Sequence, residues 1–255
     1  MGTVEIWSVC EGAPDRVGGV NEDLVVTGPD FVVVLDGATA PAGVESGCRH
    51  DVSWLVRQLG MELSFPLVGR SADSLVELLA GAIDGVRKLH VGTCDLSNPD
   101  SPSSTVAMVR VGAESVEHLV LADSPVVLRA PGGEVTAVVD DRVDYLPEYT
   151  VEAVRKARNQ AGGFWVASTR PDAAFEAVSG VTARADVASV AVMTDGASRY
   201  AERYGHSWGE LVGVLETGGP RELIDRVRAY DAAAEPGAFR GKRHDDASAV
   251  LLRLS

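Results

Sequence analysis

Apolar and polar residues alternate in blocks along the chain, and the period within each block changes from two to about three and a half and back. Val4 to Val9 reads as a first strand, and Leu24 to Val26 as a second. Phe31 to Leu35 is a third, an unbroken apolar, β-branched run of the kind buried on both faces. The turn-forming Gly28-Pro29-Asp30 between the last two predicts an antiparallel pair. From Gly47 to Phe65 the positions Val52, Leu55, Val56, Leu59 and Leu63 recur at helical spacing, as do Leu75, Leu78, Leu79, Ile83 and Val86 between Ala72 and Leu89. Ser71 or Asp73 is the expected cap of the second helix. Ser104 to Val111, Val116 to Leu121, Val126 to Arg129 and Val135 to Val139 read as a meander of short strands, with Pro131-Gly132-Gly133 as a hairpin turn. Helices are expected at Glu148 to Gln160 and Asp172 to Val178, a strand from Thr182 to Thr194, helices at Trp208 to Glu216 and Arg221 to Ala234, and a last strand at Ala247 to Leu254. Strands in blocks separated by helix pairs imply an α+β fold of two packed antiparallel sheets with helices outside, rather than a βαβ winding.

The ends of the apolar runs carry the candidate chemistry. Val32 to Leu35 stops at Asp36-Gly37, Val190 to Thr194 at Asp195-Gly196, and Leu119 to Ala122 at Asp123, while His244-Asp245-Asp246 precedes the final strand. One Asp-Gly after a strand is an ordinary turn. Four acidic ends on four buried strands point to one shared cation site, because clustered carboxylates disfavour one another's charge unless a metal or a cationic partner offsets them. Few basic residues flank these positions in sequence. Oxygen-only ligation selects hard cations, Mg2+ or Mn2+ first, and no His/Cys spacing argues for zinc. A carboxylate bridging two such ions can hold a water between them and polarise a phosphoryl oxygen.

Composition narrows the field. The chain has 255 residues, 45% of them hydrophobic, which suits one domain spanning residues 1–255. With 37 acidic against 23 basic residues its formal charge is -14, which disfavours nucleic acid and anionic lipid as partners. No apolar stretch approaches the ~20 residues of a membrane span, and the N-terminus lacks the pattern of a signal peptide. Cys10, Cys48 and Cys94 are odd in number and form no CxxC, so reduced thiols in a cytoplasmic protein are expected. Asp36-Gly37-Ala38 lacks the second carboxylate of an aspartyl phosphatase of the haloacid dehalogenase type. The phosphate loops GxxxxGK[ST] and GxGxxG and the nucleophile elbow GxSxG are also absent, and no cysteine has a sequence setting that marks it as a His-partnered nucleophile.

In chain order, Asn21-Glu22-Asp23, Leu35-Asp36-Gly37, Ser103-Ser104-Thr105, Leu121-Ala122-Asp123-Ser124, Thr194-Asp195-Gly196 and Asp245-Asp246-Ala247-Ser248 resemble the motifs of the metal-dependent serine/threonine protein phosphatases of type 2C, in a divergent, bacterial-like form. The resemblance implies a four-layer sandwich, two β-sheets flanked by helices, and a centre for two Mg2+ or Mn2+ ions, with room for a third. It implies that Asp36 bridges both ions, that the Gly37 carbonyl binds the second, and that Asp195 and Asp245 complete the first. Asp123 would share a third ion with Asp195, and Asp23 would act mostly through water on the metal. Asp36 and Asp195 are thereby the catalytic pair, and the implied activity is hydrolysis of phosphoserine or phosphothreonine in proteins by a metal-bridging hydroxide.

Departures from the family pattern bear on substrate recognition. Direct spacing puts Gly18 where the family has a phosphate-gripping Arg, leaving Arg16 as the substitute, and Ala38 to Pro41 replaces a Gly-rich run, so no general acid is assigned. Two competing readings follow: a regulatory binding module that has lost catalysis, and a phosphatase of small phosphorylated metabolites. Gly162-Gly163-Phe164-Trp165, with Arg155, Lys156 and Arg158 nearby, reads either as a substrate flap or as a surface loop. Arg240 to Arg243 either draws in phosphorylated substrate or is simply solvated, and His244 either supports Asp245 or faces water. His50 and Trp54, four apart, read as packing rather than as ligands.

Overall fold

The computed structural model describes residues 3–15, 20–40, 43–235, 237–239 and 242–255. Arg16 and Gly18, expected near the substrate phosphate, lie outside the described residues, as do Pro41, Arg240 and Gly241. Ten strands and five α-helices follow in the order β1 (Val4–Glu11), β2 (Asp23–Thr27), β3 (Phe31–Ala38), α1 (Val52–Val68), α2 (Leu75–His90), β4 (Ser103–Val111), β5 (Ser115–Leu121), β6 (Val126–Arg129), β7 (Val135–Val138), α3 (Val151–Ala157), β8 (Val178–Ala183), β9 (Ser189–Met193), α4 (Asp195–Glu202), α5 (Trp208–Ala233) and β10 (Ala247–Leu254) among the described residues. They form two five-stranded sheets, β1-β10-β9-β6-β7 and β2-β3-β4-β5-β8, antiparallel throughout.

Side-chain alternation sorts most of the core into three apolar layers, with a smaller cluster at Ala122, Phe164 and Val166. Val32, Val34, Ala107 and Val109 of one sheet meet Val126, Val190, Val192 and Val250 of the other between the sheets. Phe31, Val33 and Leu35 point the opposite way, into Leu55, Leu59, Leu63, Leu79 and Ile83 of α1 and α2. The outer face of the second sheet, Ala191, Met193 and Leu251, is covered by Leu211, Leu215 and Leu223 of α5 and Tyr200 of α4. The result is the expected four-layer sandwich, and β3 is apolar without alternation because both of its faces are covered.

Several element boundaries differ from the sequence expectation. Helix α1 begins at Val52, with Asp51 as its N-cap, and runs on through Pro66. The cap of α2 is Ser74, which forms a capping box with Glu77, not Ser71 or Asp73. The expected meander is split: β4 and β5 pair in one sheet, β6 and β7 in the other, and the chain crosses between sheets at Ala122 to Pro125. The helix expected at 148–160 shrinks to α3, and that at 172–178 becomes a 3-10 turn over Pro171–Glu176 followed by β8, an edge strand on β5. The expected strand from Thr182 to Thr194 is the end of β8, a 3-10 turn and β9. The two helices expected near the C-terminus join as α5, kinked where Gly219 adopts φ 82° before Pro220. Helix α4 was not expected at all. No helix among the described residues is long and apolar enough to cross a membrane.

Candidate metal centre

The acidic ends of β3, β9 and the β5–β6 turn meet the acidic starts of β2 and β10 at one edge of the sandwich. Asp36 on β3 stands opposite Asp23 on β2 and opposite Thr105 on β4. Behind Asp36, the Gly37 amide donates to the Glu22 carbonyl at 3.1 Å. A Cβ on Gly37 would lie 2.3 Å from Val52 Cγ1 and 2.7 Å from Glu22 O, so glycine there lets three segments close on one another.

Asp23 fastens the two sheets together at this edge. Its Oδ2 accepts from Thr194 Oγ1 at 2.9 Å and Ser248 Oγ at 2.8 Å, residues that end β9 and open β10. Its Oδ1 is buried with no hydrogen-bond partner. Asp246 accepts from the amides of Ala13 (2.8 Å) and Glu22 (2.9 Å) and so holds the start of β2 in place. Asp195 opens α4, and a Cβ on the following Gly196 would sit 2.0 Å from the Asp246 carbonyl oxygen. Asp123 follows Ala122, whose φ is 65° and whose backbone N–H donates a hydrogen bond to Oδ2 of buried Asp140 (2.8 Å). Asp140 in turn receives Arg142.

Electrostatics show that these carboxylates share one neighbourhood. Burial, then Asp23, Asp195, Asp123 and Asp245, hold the Asp36 carboxyl well above the usual carboxylate range. Burial pushes Asp23 up to about 7, against the hydroxyls of Ser248 and Thr194 and helped by Asp246 and Asp195. Asp123 is likewise pushed up to about 7 by burial and by Asp195. Asp195 is raised by burial and Asp245, an effect moderated by Arg199, Arg203 and Lys242. Four carboxyls that resist ionisation, one with an orphaned buried oxygen, are the complement of hard divalent cations, so the residues present fit such ions.

The expected residues Asp23, Asp36, Gly37, Asp123, Asp195 and Asp245 are thus brought to one edge. They have more company than the sequence suggested. Arg199, on the turn of α4 after Asp195, is buried (3% exposed), with its guanidinium 3.0 Å from Asp245 and 4.0 Å from Asp195. Lys242 lies 3.1 Å from Asp245. Glu202, seven residues after Asp195 and so on a neighbouring stretch of the same helix, is pushed up to about 7 by burial, with Ser198 opposing and Asp195 adding to the shift. Asp123, Asp195 and Asp245 open onto a cleft of 840 Å³ that also receives Arg199, Glu202 and Arg203.

Two open readings are narrowed. Phe164 and Trp165 are buried rather than presented by a flap, and Trp165 packs into the core under α1 and α2. Arg155 and Arg158 of the same region are tied to Asp100 and to the carbonyls of Pro99 and Ser101. His244 faces buried Asp231 at 3.4 Å, behind Asp245 rather than in the cleft.

A two-sheet, helix-flanked sandwich with a carboxylate cluster at its edge defines the class. Residues 16–227 match the family model for protein phosphatase 2C, and the chain belongs to that family. Solved structures agree in fold. The catalytic domain of the serine/threonine protein phosphatase PstP with two manganese ions is 15% identical, with 100% of this chain and 99% of that one covered at a TM-score of 0.63. PppA, a regulatory component of T6SS in Pseudomonas aeruginosa, is 18% identical over 100% of both chains at 0.63. The serine/threonine phosphatase Stp1 from Staphylococcus aureus is 15% identical over 99% and 95% at 0.60. No curated protein sequence matches the chain.

Proposed function

We propose that this chain is a metal-dependent phosphomonoesterase acting on phosphoserine and phosphothreonine in proteins. The observation that carries the reading is the convergence of Asp23, Asp123, Asp195 and Asp245 on buried Asp36, whose pKa all four raise, beside an 840 Å³ cleft. Asp36, the Gly37 carbonyl, Asp195 and Asp245 would hold two Mg2+ or Mn2+ ions, with Asp123 and Asp23 supporting. When bound, such ions supply Lewis-acid polarisation of the phosphoryl group and a nucleophile from water near neutral pH.

The chain's own side chains account for the rest. Thr194 and Ser248 orient Asp23 through its Oδ2, and Arg199 fixes the carboxylates of Asp195 and Asp245. Arg203 and Lys242 give the cleft positive charge that draws a phosphate dianion toward an otherwise acidic rim. Burial pushes the Glu202 carboxyl in the same cleft up to about 7, so it can hold a proton close to a leaving alkoxide. Arg16 is the candidate for direct grip on the phosphate. We read residues 1–255 as one catalytic unit, with a cytoplasmic location resting on the three unpaired thiols.

Phosphate release from a phosphothreonine peptide and from an aryl phosphate with Mn2+ is the test. Wild-type turnover, abolished in Asp36→Asn and Asp195→Asn, is expected. A wild-type protein that binds Mn2+ but frees no phosphate from any peptide, sugar or nucleotide phosphate overturns the enzymatic reading. It would favour the second one, a binding module, which the pairing of Arg199 and Lys242 with Asp245 supports because protein cations then offset a ligand carboxylate. Preference for a small metabolite over phosphopeptides in kcat/KM would move the substrate class instead.

A further inference from the structure

Away from the acidic edge, two thiols and two imidazoles converge. Cys48 and His50 lie in the segment leading into α1, His90 is the last residue of α2, and Cys94 closes the turn after it. Their ligand atoms all lie within 4.8 Å of one another. Cys48 Sγ is 3.7 Å from His50 Nδ1 and 3.4 Å from His90 Nδ1, and Cys94 Sγ is 3.5 Å from His50 Nδ1. Donors bound at about 2.0–2.3 Å around a tetrahedral ion stand roughly 3.3–3.8 Å apart, and these three sulfur–nitrogen separations fall in that range. The two sulfurs are 3.1 Å apart, beyond the ~2.05 Å of a disulfide bond.

The surroundings hold the four donors in this arrangement. Trp54 stacks on His50 with centroids 3.9 Å apart and meets His90 edge-on at 4.7 Å, so one indole orients both rings. The amides of Thr93 and Cys94 both donate to the His90 carbonyl, which bends the chain so that His90 and Cys94 face the same point. The His50 amide points at Cys48 Sγ at 3.4 Å, the backbone support that a thiolate ligand uses. Independent bonds, Asp95 N to Gly47 O (2.8 Å) and Asn98 Nδ2 to Glu45 O (2.9 Å), align the two segments on either side.

We propose that Cys48, His50, His90 and Cys94 bind one zinc ion. Two thiolates and two neutral imidazoles are the donor set zinc prefers, and four protein donors close the tetrahedron without an open position, which makes the site structural rather than catalytic. The ion clips the segment that follows Asp36 and Gly37 to the end of α2, ten residues after β3 ends at Ala38. The sequence has no His/Cys spacing that argues for zinc; the fold brings these four donors together from two separate segments, and the proposal gives His50 a role beside its packing on Trp54. This site shares no residue with the acidic edge and stands whether or not the chain is a phosphatase.

Elemental analysis of tag-free wild-type protein from zinc-supplemented cells should find one zinc per chain. Metal-free protein titrated with Co2+ should develop a near-ultraviolet thiolate-to-cobalt charge-transfer band and strong visible bands of tetrahedral cobalt, saturating at one equivalent and erased by one equivalent of Zn2+. An all-oxygen centre gives no thiolate band. Cys94→Ser and Cys48→Ser should lose it, while Cys10→Ser and Asp36→Asn should keep it, with circular dichroism reporting that each variant is folded. Wild-type protein free of zinc and without the thiolate band, a band that survives in folded Cys94→Ser, or a Cys48–Cys94 disulfide in place of two free thiols would each overturn the proposal.

Discussion

Replacing Asp23 with Asn changes one charge at the junction of the two sheets, and its effect on metal-free protein should reverse with pH. Asp23 is 7% exposed, and its carboxyl is raised from 3.8 to about 7, by burial first. In an unfolded chain the group ionises near 4, so below that pH both states are protonated and nothing is lost. As pH rises from about 4 to about 7 the unfolded state gives up its proton first, and the fold loses stability until the native group titrates too. Three units at ~1.36 kcal/mol each come to about 4 kcal/mol at full ionisation. Asn escapes that cost but brings another. Its carbonyl can keep the bonds from Thr194 and Ser248, which puts the amide nitrogen where Oδ1 has no partner, at about 1–3 kcal/mol. Between roughly pH 5 and pH 8 the stability of Asp23→Asn relative to wild type should therefore move in the variant's favour by about 2–3 kcal/mol. That is about 5–10 °C in Tm for a chain of this size, read from thermal melts in chelator. Mn2+ should then raise the Tm of wild type more than that of the variant, because the ion offsets the charge that Asn lacks. Parallel melting curves for the two proteins across this pH range would refute the claim that Asp23 is held as a strained, ligand-ready carboxyl.

The aspartates were legible in the sequence because each sits where an apolar strand stops or starts, and strands buried on both faces leave no other place for a charge. Val32 to Leu35 announces itself as such a strand even without alternation, since its two sets of side chains enter two different cores. What the sequence concealed depends on tertiary contact. Helix α4 spans eight residues beginning Asp195-Gly196, which read locally as a turn, and its burial comes from β10 and α5 rather than from an apolar stripe of its own. With α4 went Arg199 and Glu202, although both fall at helical spacing from Asp195. Strand β8, Val-Ser-Gly-Val-Thr-Ala, is a half-exposed edge with no apolar run to mark it. Nor does local sequence tell which sheet a strand joins: β5 and β6 are separated by four residues, yet the left-handed conformation at Ala122 sends the chain across the sandwich.

The Cys/His cluster was illegible for a different reason. Cys48-Arg49-His50 and His90 to Cys94 are two half-sites, one ahead of a helix and one behind the next. Neither half has the spacing of a zinc motif, and only the packing of α1 against α2 brings them within reach. Their juxtaposition lives on the packing link of the chain from sequence to function, whereas the acidic edge already lives on the strand pattern.

Two further perturbations test the acidic edge. In Gly196→Ala the new Cβ would meet the Asp246 backbone carbonyl oxygen at 2.0 Å, with no flexible side chain there to yield. A loss of about 1–3 kcal/mol or more in urea unfolding is expected, together with loss of phosphate release, and wild-type stability would refute the close approach. Arg199 separates two kinds of contribution. Its guanidinium stands 3.8 Å from fully buried Asp231 and 3.0 Å from Asp245. Arg199→Met removes the cation but keeps apolar bulk, so Asp231 is left with Arg228, His244 and the Tyr204 hydroxyl, and stability should fall by about 3–5 kcal/mol. At the same time Asp195 and Asp245 lose a competing positive charge, so Mn2+ affinity measured by calorimetry on the folded variant should rise while turnover falls. Arg199→Lys should recover much of the stability, because an ammonium can still face Asp231, but not the forked geometry that fixes Asp195 and Asp245. If Arg199→Met instead weakens Mn2+ binding at unchanged stability, Arg199 supports the ions rather than standing in for them, and the view of this residue as a counter-charge held against the metal ligands fails.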